Sequence, residues 1–496
     1  MKKILLVISV ALCLTSCKKF LEEYSQSDLT PKFAEDYGEI LYSDGYPSGV
    51  DAVQSWRVFL DDDVQCYVGG YNANSPAEFT TASSIYQWQP DFVARTTNAG
   101  FTDNLNIWET YYHWLLGANV VLQNMDNATG AQQLKDQFKG EAFALRAFYH
   151  FMLVNLYAKP YNDSTTSPDK SLGIPIRITA DLSDKPVVRN SVKEVYDQIA
   201  QDIDSATYLL DKNKTNLSPY RISFVAAHLL ASRIYLYMEK WDKCIQHADV
   251  VLAYHPQLLD YNTFGGSSDP SNHPLSGANN IESLFTYGSI KDYRALGFYN
   301  IYNVSHDLAD CFEANDLRNI ISFSPTPDFL KPYFTPDYGW QKMDPTVYGD
   351  EGLGISWRNP EAYLNRAEAY IQLYKTTGDA GAATKALSSL NTLRSNRIDR
   401  ASFQPWGIYP AATLLQMCRT ERRRELFMEE NHRWFDLRRY GMPSIKHLYM
   451  PDEATTQVYR LKSHDPAYVL PIPDKAINRN PALVQNPMFN GTRMPD

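Results

Sequence analysis

Two stretches of this chain carry one arrangement of small and aromatic residues, and that arrangement limits what the rest can become. In the first, Ala231, Ser232, Arg233, Ile234 and Tyr235 are followed by Trp241, Cys244, Ala248 and Val251, with Pro256 beyond them. In the second, Ala367 and Tyr370 are followed by Ala383, Leu387 and Leu390 at the same offsets. A helical period interrupted once predicts a pair of antiparallel helices at 221–252 and another at 360–394. Small residues let the two helices of a pair cross closely, and rings fill the space beside the crossing. The same period predicts helices from Asn106 to Met125, Leu134 to Tyr157, Val192 to Leu210 and Leu414 to Tyr440.

These spacings resemble tetratricopeptide units. Glu141 to Tyr157 resembles another first helix, with Val192 to Leu210 as its delayed partner. The units lie far apart, so a tandem solenoid is excluded. The expectation is a mostly α fold: an interrupted tetratricopeptide-repeat helical scaffold with long loop-rich insertions. Residues 61–104 and 255–358 are those insertions, rich in Gly, Pro, Asn, Asp and Ser. Loops beyond about 15 residues in a compact protein are functional or disordered. With 34 Tyr, 22 Phe and 9 Trp in 496 residues, these segments hold too many rings for disorder.

The N-terminus obeys other rules. Lys2 and Lys3 precede an apolar run from Ile4 to Leu14, too short to span a bilayer as a helix. This is the pattern of a secretory signal, and Leu14-Thr15-Ser16-Cys17 resembles a bacterial lipobox. Residues 1–16 are therefore expected to leave as a signal peptide and Cys17 to carry the lipid. Two or three acyl chains on one residue anchor stably where one does not. Glu22-Glu23, close behind, resembles a surface-export signal of some Gram-negative lipoproteins.

A net charge of −10 repels a phosphate backbone, so nucleic acid is not an expected partner. The densest charge, residues 421–441, holds six arginines against five acids. Glu429 with Arg433 and Glu421 with Arg424 stand at pairing distance along one helix, while Phe427, Trp434 and Leu437 share a side and face a core. Acids among arginines have lowered pKa values, which is wrong for a general acid. The stretch reads as a structural helix with ion pairs along its flanks.

Catalytic motifs are lacking: no GxSxG, HExxH, P-loop or GxGxxG occurs, and the histidines are scattered. Asp61-Asp62-Asp63 lacks the alternating ligands of a calcium loop and reads as a solvated acidic turn. Cys66, Cys244, Cys311 and Cys418 show no paired CxxC units, so no metal is expected, and Cys244 reads as a buried free thiol. No cofactor is expected either.

Glu421-Arg422-Arg423-Arg424-Glu425-Leu426, followed by Arg433-Trp434-Phe435-Asp436-Leu437-Arg438-Arg439, resembles the signature of the SusD/RagB family. Gly140-Glu141-Ala142, Leu145-Arg146-Ala147, Ala231-Ser232-Arg233 and Arg366-Ala367-Glu368-Ala369 resemble its earlier helices, and Leu470-Pro471-Ile472-Pro473 with Gln485-Asn486-Pro487 its tail. Two departures stand out: Asn431-His432 where a glycine is usual, and Cys244 where alanine is common. The resemblance divides the chain into an N-terminal region, 17–225, and a C-terminal region, 226–496. It implies an outer-membrane, surface-exposed nutrient-binding lipoprotein and not an enzyme. Its helical scaffold would pack on a SusC-type TonB-dependent transporter, and its loop-rich face would capture an oligosaccharide or, in RagB-type members, a peptide. A surface glycoside hydrolase is the remaining alternative, because its two acids need no motif.

The apolar faces of a pyranose stack on rings, while amides and carboxylates satisfy its hydroxyls. Repeat helices spend Tyr235, Trp241 and Tyr370 on packing, whereas the insertions have no such duty. The expected ligand residues are therefore Tyr67, Tyr71, Asn72, Asn74, Trp88, Tyr287, Asp292, Tyr293 and Tyr299. For this set to act together, the fold must join residues 65–76 to 285–303.

Overall fold

The computed structural model describes residues 31–66, 80–101, 104–181, 185–214, 218–263, 280–288, 302–319, 323–325, 338–340, 342, 355–452 and 454–496. The helices form where the period placed them: α1 (Ile107–Asn124), α2 (Gln132–Tyr157), α3 (Val192–Asp211), α4 (Phe224–Tyr237), α5 (Trp241–Tyr254), α6 (Pro360–Thr377) and α7 (Ala380–Ser395). Their ends are written locally. Ser191 and Glu194 cap α3 reciprocally, Ser223 Oγ accepts from the Ala226 amide at 3.2 Å, and Asp379 accepts from the Gly381 amide at 2.8 Å. Gly378 ends α6 at φ 74°, a left-handed conformation suited to glycine.

α2 and α3 pack together across the 34 residues between them, as the delayed pairing requires. Gly140 allows this approach, since a Cβ there would meet Leu210 at 2.7 Å. α4 packs on α5, α5 on α6 and α6 on α7, so the two hairpins stack despite the long insertion between them. Cys244 is a buried free thiol whose Sγ lies 3.5 Å from the Asn365 carbonyl at that stack. The main apolar core runs from Ala34 to Leu483, and a smaller one joins α6, α7 and the next helix. The division at 225/226 falls within the first turn of α4, where Val225 and Ala226 both belong to the main core. The tail closes the molecule: Asn486 Nδ2 donates to the Tyr157 and Leu470 carbonyls at 2.9 and 2.8 Å.

Between Leu414 and Tyr440 the expected single helix is two, α8 (Ala411–Leu426) and α9 (His432–Arg439). Met428, Glu430 and Asn431 adopt positive φ between them, at 61°, 44° and 66°. Asn tolerates this conformation better than most residues, which accounts for Asn431 where a glycine is usual. The break turns the charges inward, so flank pairing is corrected. Glu421 and Arg424 do pair, at 3.1 Å, but Arg433 reaches Asp62 at 2.6 Å and Glu429 goes to Arg358 and Lys342, each at 2.6 Å. Glu425, 2% exposed, accepts from Arg318, Arg358 and Arg397, each at 3.0 Å. Burial alone would raise its pKa, yet Arg397, Arg358 and Arg318 hold the carboxyl well below the usual range. Nearby, Arg439 grips Glu368 through two bonds of 2.6 and 2.7 Å.

Four two-stranded antiparallel ribbons complete the described fold. β1 (Val64–Cys66) pairs with β3 (Tyr302–Val304), and β2 (Ser283–Tyr287) with β6 (Ile355–Arg358). β4 (Phe323–Pro325) pairs with β5 (Tyr338–Trp340), and β7 (Ile445–Asp452) with β8 (Thr455–Leu461).

Candidate ligand-binding site

The β1–β3 ribbon draws together the two aromatic insertions. Its register sets Val64 opposite Val304 and Cys66 opposite Tyr302. Ser305 fixes the other end, its amide donating to the Asp63 carbonyl at 2.9 Å and its hydroxyl to the Asp62 carbonyl at 2.7 Å. Tyr67, Tyr71, Asn72, Asn74, Asp292, Tyr293 and Tyr299 lie outside the described residues, as does Cys17.

Trp88 and Tyr287 are described, and both belong to the core. Trp88 is 2% exposed, donates from Nε1 to the Leu60 carbonyl at 2.9 Å and stacks on His447 with centroids 3.9 Å apart. Tyr287 is 6% exposed, and its hydroxyl donates to Glu430 at 2.6 Å. The expectation that these two stack on a ligand is corrected, because their faces and polar atoms are already occupied. Tyr86, whose hydroxyl donates to the Leu448 carbonyl, and Tyr302 join the same packed layer under the ribbon.

Asp61-Asp62-Asp63 is also corrected, from a solvated turn to a buried one. Asp61 and Asp63 are buried, and one ligand atom from each of the three acids lies within 4.8 Å of the others. Arg423 meets Asp63 at 2.7 Å and Arg433 meets Asp62 at 2.6 Å, so two of the three carboxylates already have a cation. A divalent ion beside two guanidiniums is disfavoured. Asp61 has no ion pair among the described residues; burial, then Asp63 and Asp62, push its pKa well above the usual range. The α4–α5 hairpin also brings together two histidines 19 residues apart: His228 and His247 meet Nδ1 to Nδ1 at 2.8 Å.

Two clefts escape the sequence reasoning. One, of about 420 Å³, lies between α1, residues 175–181 with Val187, and the short helix α10 (Asp474–Arg479). The other, of about 500 Å³, is lined by Lys159, Lys170, Arg189 and His464. The first could have been suspected from two pairs at i, i+4, Trp108 with Tyr112 and Lys475 with Arg479, each on one helix face. Neither shares a lining residue with the β1–β3 ribbon.

No helix among the described residues is long and apolar enough to cross a membrane. The profile of the family described as "Starch-binding associating with outer membrane" matches residues 19–236, and that of the SusD family matches 312–489. No curated protein matches in a sequence search. Among solved structures, a SusD superfamily protein from Bacteroides thetaiotaomicron aligns with a TM-score of 0.67 at 22% identity, covering 92% of this chain and 100% of that one. A SusD-like carbohydrate binding protein from Bacteroides vulgatus gives 0.65 at 19%, covering 92% and 99%. A laminarin binding SusD-like protein gives 0.61 at 19%, covering 93% and 100%. The interrupted helical scaffold is a SusD-like fold. This chain belongs to the SusD/RagB family.

Proposed function

We propose that this protein is a cell-surface lipoprotein that binds a glycan and hands it to a TonB-dependent outer-membrane transporter, without cleaving it. Family membership supports glycan binding, and the name of the laminarin binding relative agrees. The observation that carries the site is the pairing of Cys66 with Tyr302, which roots both aromatic insertions at one ribbon end. Tyr67, Tyr71, Asn72 and Asn74 from one side, with Asp292, Tyr293 and Tyr299 from the other, are the proposed ligand residues. Rings supply apolar faces for the sugar, and amides and a carboxylate serve its hydroxyls.

Binding without hydrolysis agrees with the chemistry of the signature acids. Glu421, Glu425, Glu429 and Asp436 are buried, and their arginine neighbours hold all four below the ordinary carboxylate range. Such groups stay ionised and do not donate protons to a leaving group. Lipidation of Cys17 rests on the lipobox, and transporter docking on family membership.

A panel of oligosaccharides with peptides included, titrated by calorimetry, tests the reading. Saturable binding of one glycan class, its chain length unchanged after incubation, is the expected result. Binding of peptides alone would replace the glycan, and cleavage would move the protein to the hydrolases. Mass spectrometry of the mature N-terminus should find a diacylated Cys17, and gentle-detergent purification should recover a large barrel protein alongside.

A further inference from the structure

We propose that the cleft between α1 and α10 is a second sugar site, which takes an acidic residue: a pyranose carrying a carboxylate or a sulfate. Its volume of about 420 Å³ lies within the usual range for small-molecule sites, about 300–1,000 Å³. The floor is apolar and aromatic. Tyr112 is half-buried and fixed by its hydroxyl, which donates to the Pro175 carbonyl at 2.7 Å. Trp108 backs it with centroids 5.0 Å apart.

The rim is cationic. Lys475 clasps Glu109 with two bonds of 2.8 and 2.7 Å, joining α10 to α1 across the cleft. Those bonds occupy the Glu109 carboxylate, and Arg479, one turn further along α10, acts on it only from beyond ion-pair distance. Arg177 faces the same space, and its guanidinium makes only one long contact among the described residues, 3.5 Å to the Asp181 carbonyl. The Asp181 carboxylate accepts instead from Gln123 at 3.2 Å. Arg177, Lys475 and Arg479 thus stand against Glu109 and Asp181, an excess of positive charge on a protein whose net charge is −10.

Each half of the cleft alone would bind little. A neutral sugar covers the rings but leaves the guanidiniums of Arg177 and Arg479 to water, and a bare anion meets the guanidiniums but covers no ring. An acidic pyranose does both, its C–H face on Tyr112 and its oxyanion in the planar fork of an arginine. The site is independent of the proposed loop site. A glycan long enough to reach both would gain residence by being held twice.

Titration of the full mature chain with glucuronate, glucose and sodium sulfate, followed by ligand-observed NMR, tests this. Glucuronate should bind at least tenfold more tightly than either glucose or sulfate. Arg177→Gln and Arg479→Gln should each reduce it toward the glucose value, with the thermal transition unchanged. Lys170→Gln, in the other cleft, should leave glucuronate binding intact, which separates this site from that cleft. Equal affinity for glucose and glucuronate, sulfate binding as tight as glucuronate, absence of saturable binding, or indifference to both arginine variants would overturn the proposal.

Discussion

The segment Ala411–Arg439 and the roots of the aromatic insertions are both held inside the protein, one by charge and the other by rings. Around Glu425 three guanidiniums converge on one buried carboxylate, and Arg358 extends the set to Glu282 and Glu429. Around His447 the holding is by faces: Trp88 stacks on it at 3.9 Å, Tyr86 at 4.1 Å, and both ring nitrogens lie 2.7 Å from backbone carbonyls. The difference lies in what a single loss leaves behind. Removing one member of a charge cluster strands the others in low dielectric, whereas removing a ring leaves a void that neighbours partly fill.

Glu425→Ala should therefore be the most damaging single change, at about 3–5 kcal/mol in denaturant unfolding, because three arginines would then face one another without it. A cost below about 1 kcal/mol would mean that the cluster is hydrated and not buried. Acid should act on the same residues. Glu421, Glu425, Glu429 and Asp436 titrate below their ordinary values when folded. Their contribution is whole above the unfolded carboxylate pKa of about 4 and is lost as pH falls through the lower folded values. Unfolding midpoints measured from pH 6 to pH 2 should drop, and Glu425→Ala should flatten the drop.

Trp88→Ala comes next, at about 3 kcal/mol, from the void against His447 and the Leu60 carbonyl left without its donor. Glycan affinity measured on the fraction still folded should hold. Lost affinity with an unchanged thermal transition would return Trp88 to the ligand face.

This ring also marks how far the sequence could be read. Helix positions, hairpin stacking and the α2–α3 partnership followed from period and residue size, which act locally. That Asn431 opens α9 from the left-handed region was visible only as a departure from glycine. Where Trp88 points was not visible, because its layer is built from His447 and Tyr302, both more than 200 positions away. The inward turn of Glu429 and Glu430 depends on backbone angles that no spacing encodes. Of the site, the reading required the two insertions to meet, and the pairing of residues 64–66 with 302–304 supports that proposal. The α1–α10 cleft draws on three segments and was signalled only by two i, i+4 pairs.

Asp61→Asn sharpens the comparison with a change of opposite sign. Burial and the neighbouring acids raise the Asp61 pKa, so its ionised form opposes folding once pH exceeds the unfolded value. Asparagine can keep the 3.0 Å bond from the Asp63 amide without the charge. Stability at pH 7 should rise by about 1 kcal/mol, and the gain should vanish near pH 4. A loss at pH 7 would mean that Asp61 is ionised and paired with a cation.

Tyr71→Ala should have the smallest effect on folding and is the sharpest test of the contrast between the two regions. The proposal separates the rings by role: those of the packed layer stabilise the fold, and those beyond Cys66 would bind a sugar. Replacing a ring of the second kind should move unfolding by no more than about 0.5 kcal/mol. The same change should weaken the preferred glycan by about 1–3 kcal/mol, by analogy with bases stacked on aromatic side chains. Calorimetric titration alongside thermal unfolding reads both quantities on one preparation. A large stability loss with unchanged affinity would place Tyr71 among the packed rings with Trp88, and the insertions would then be scaffold throughout.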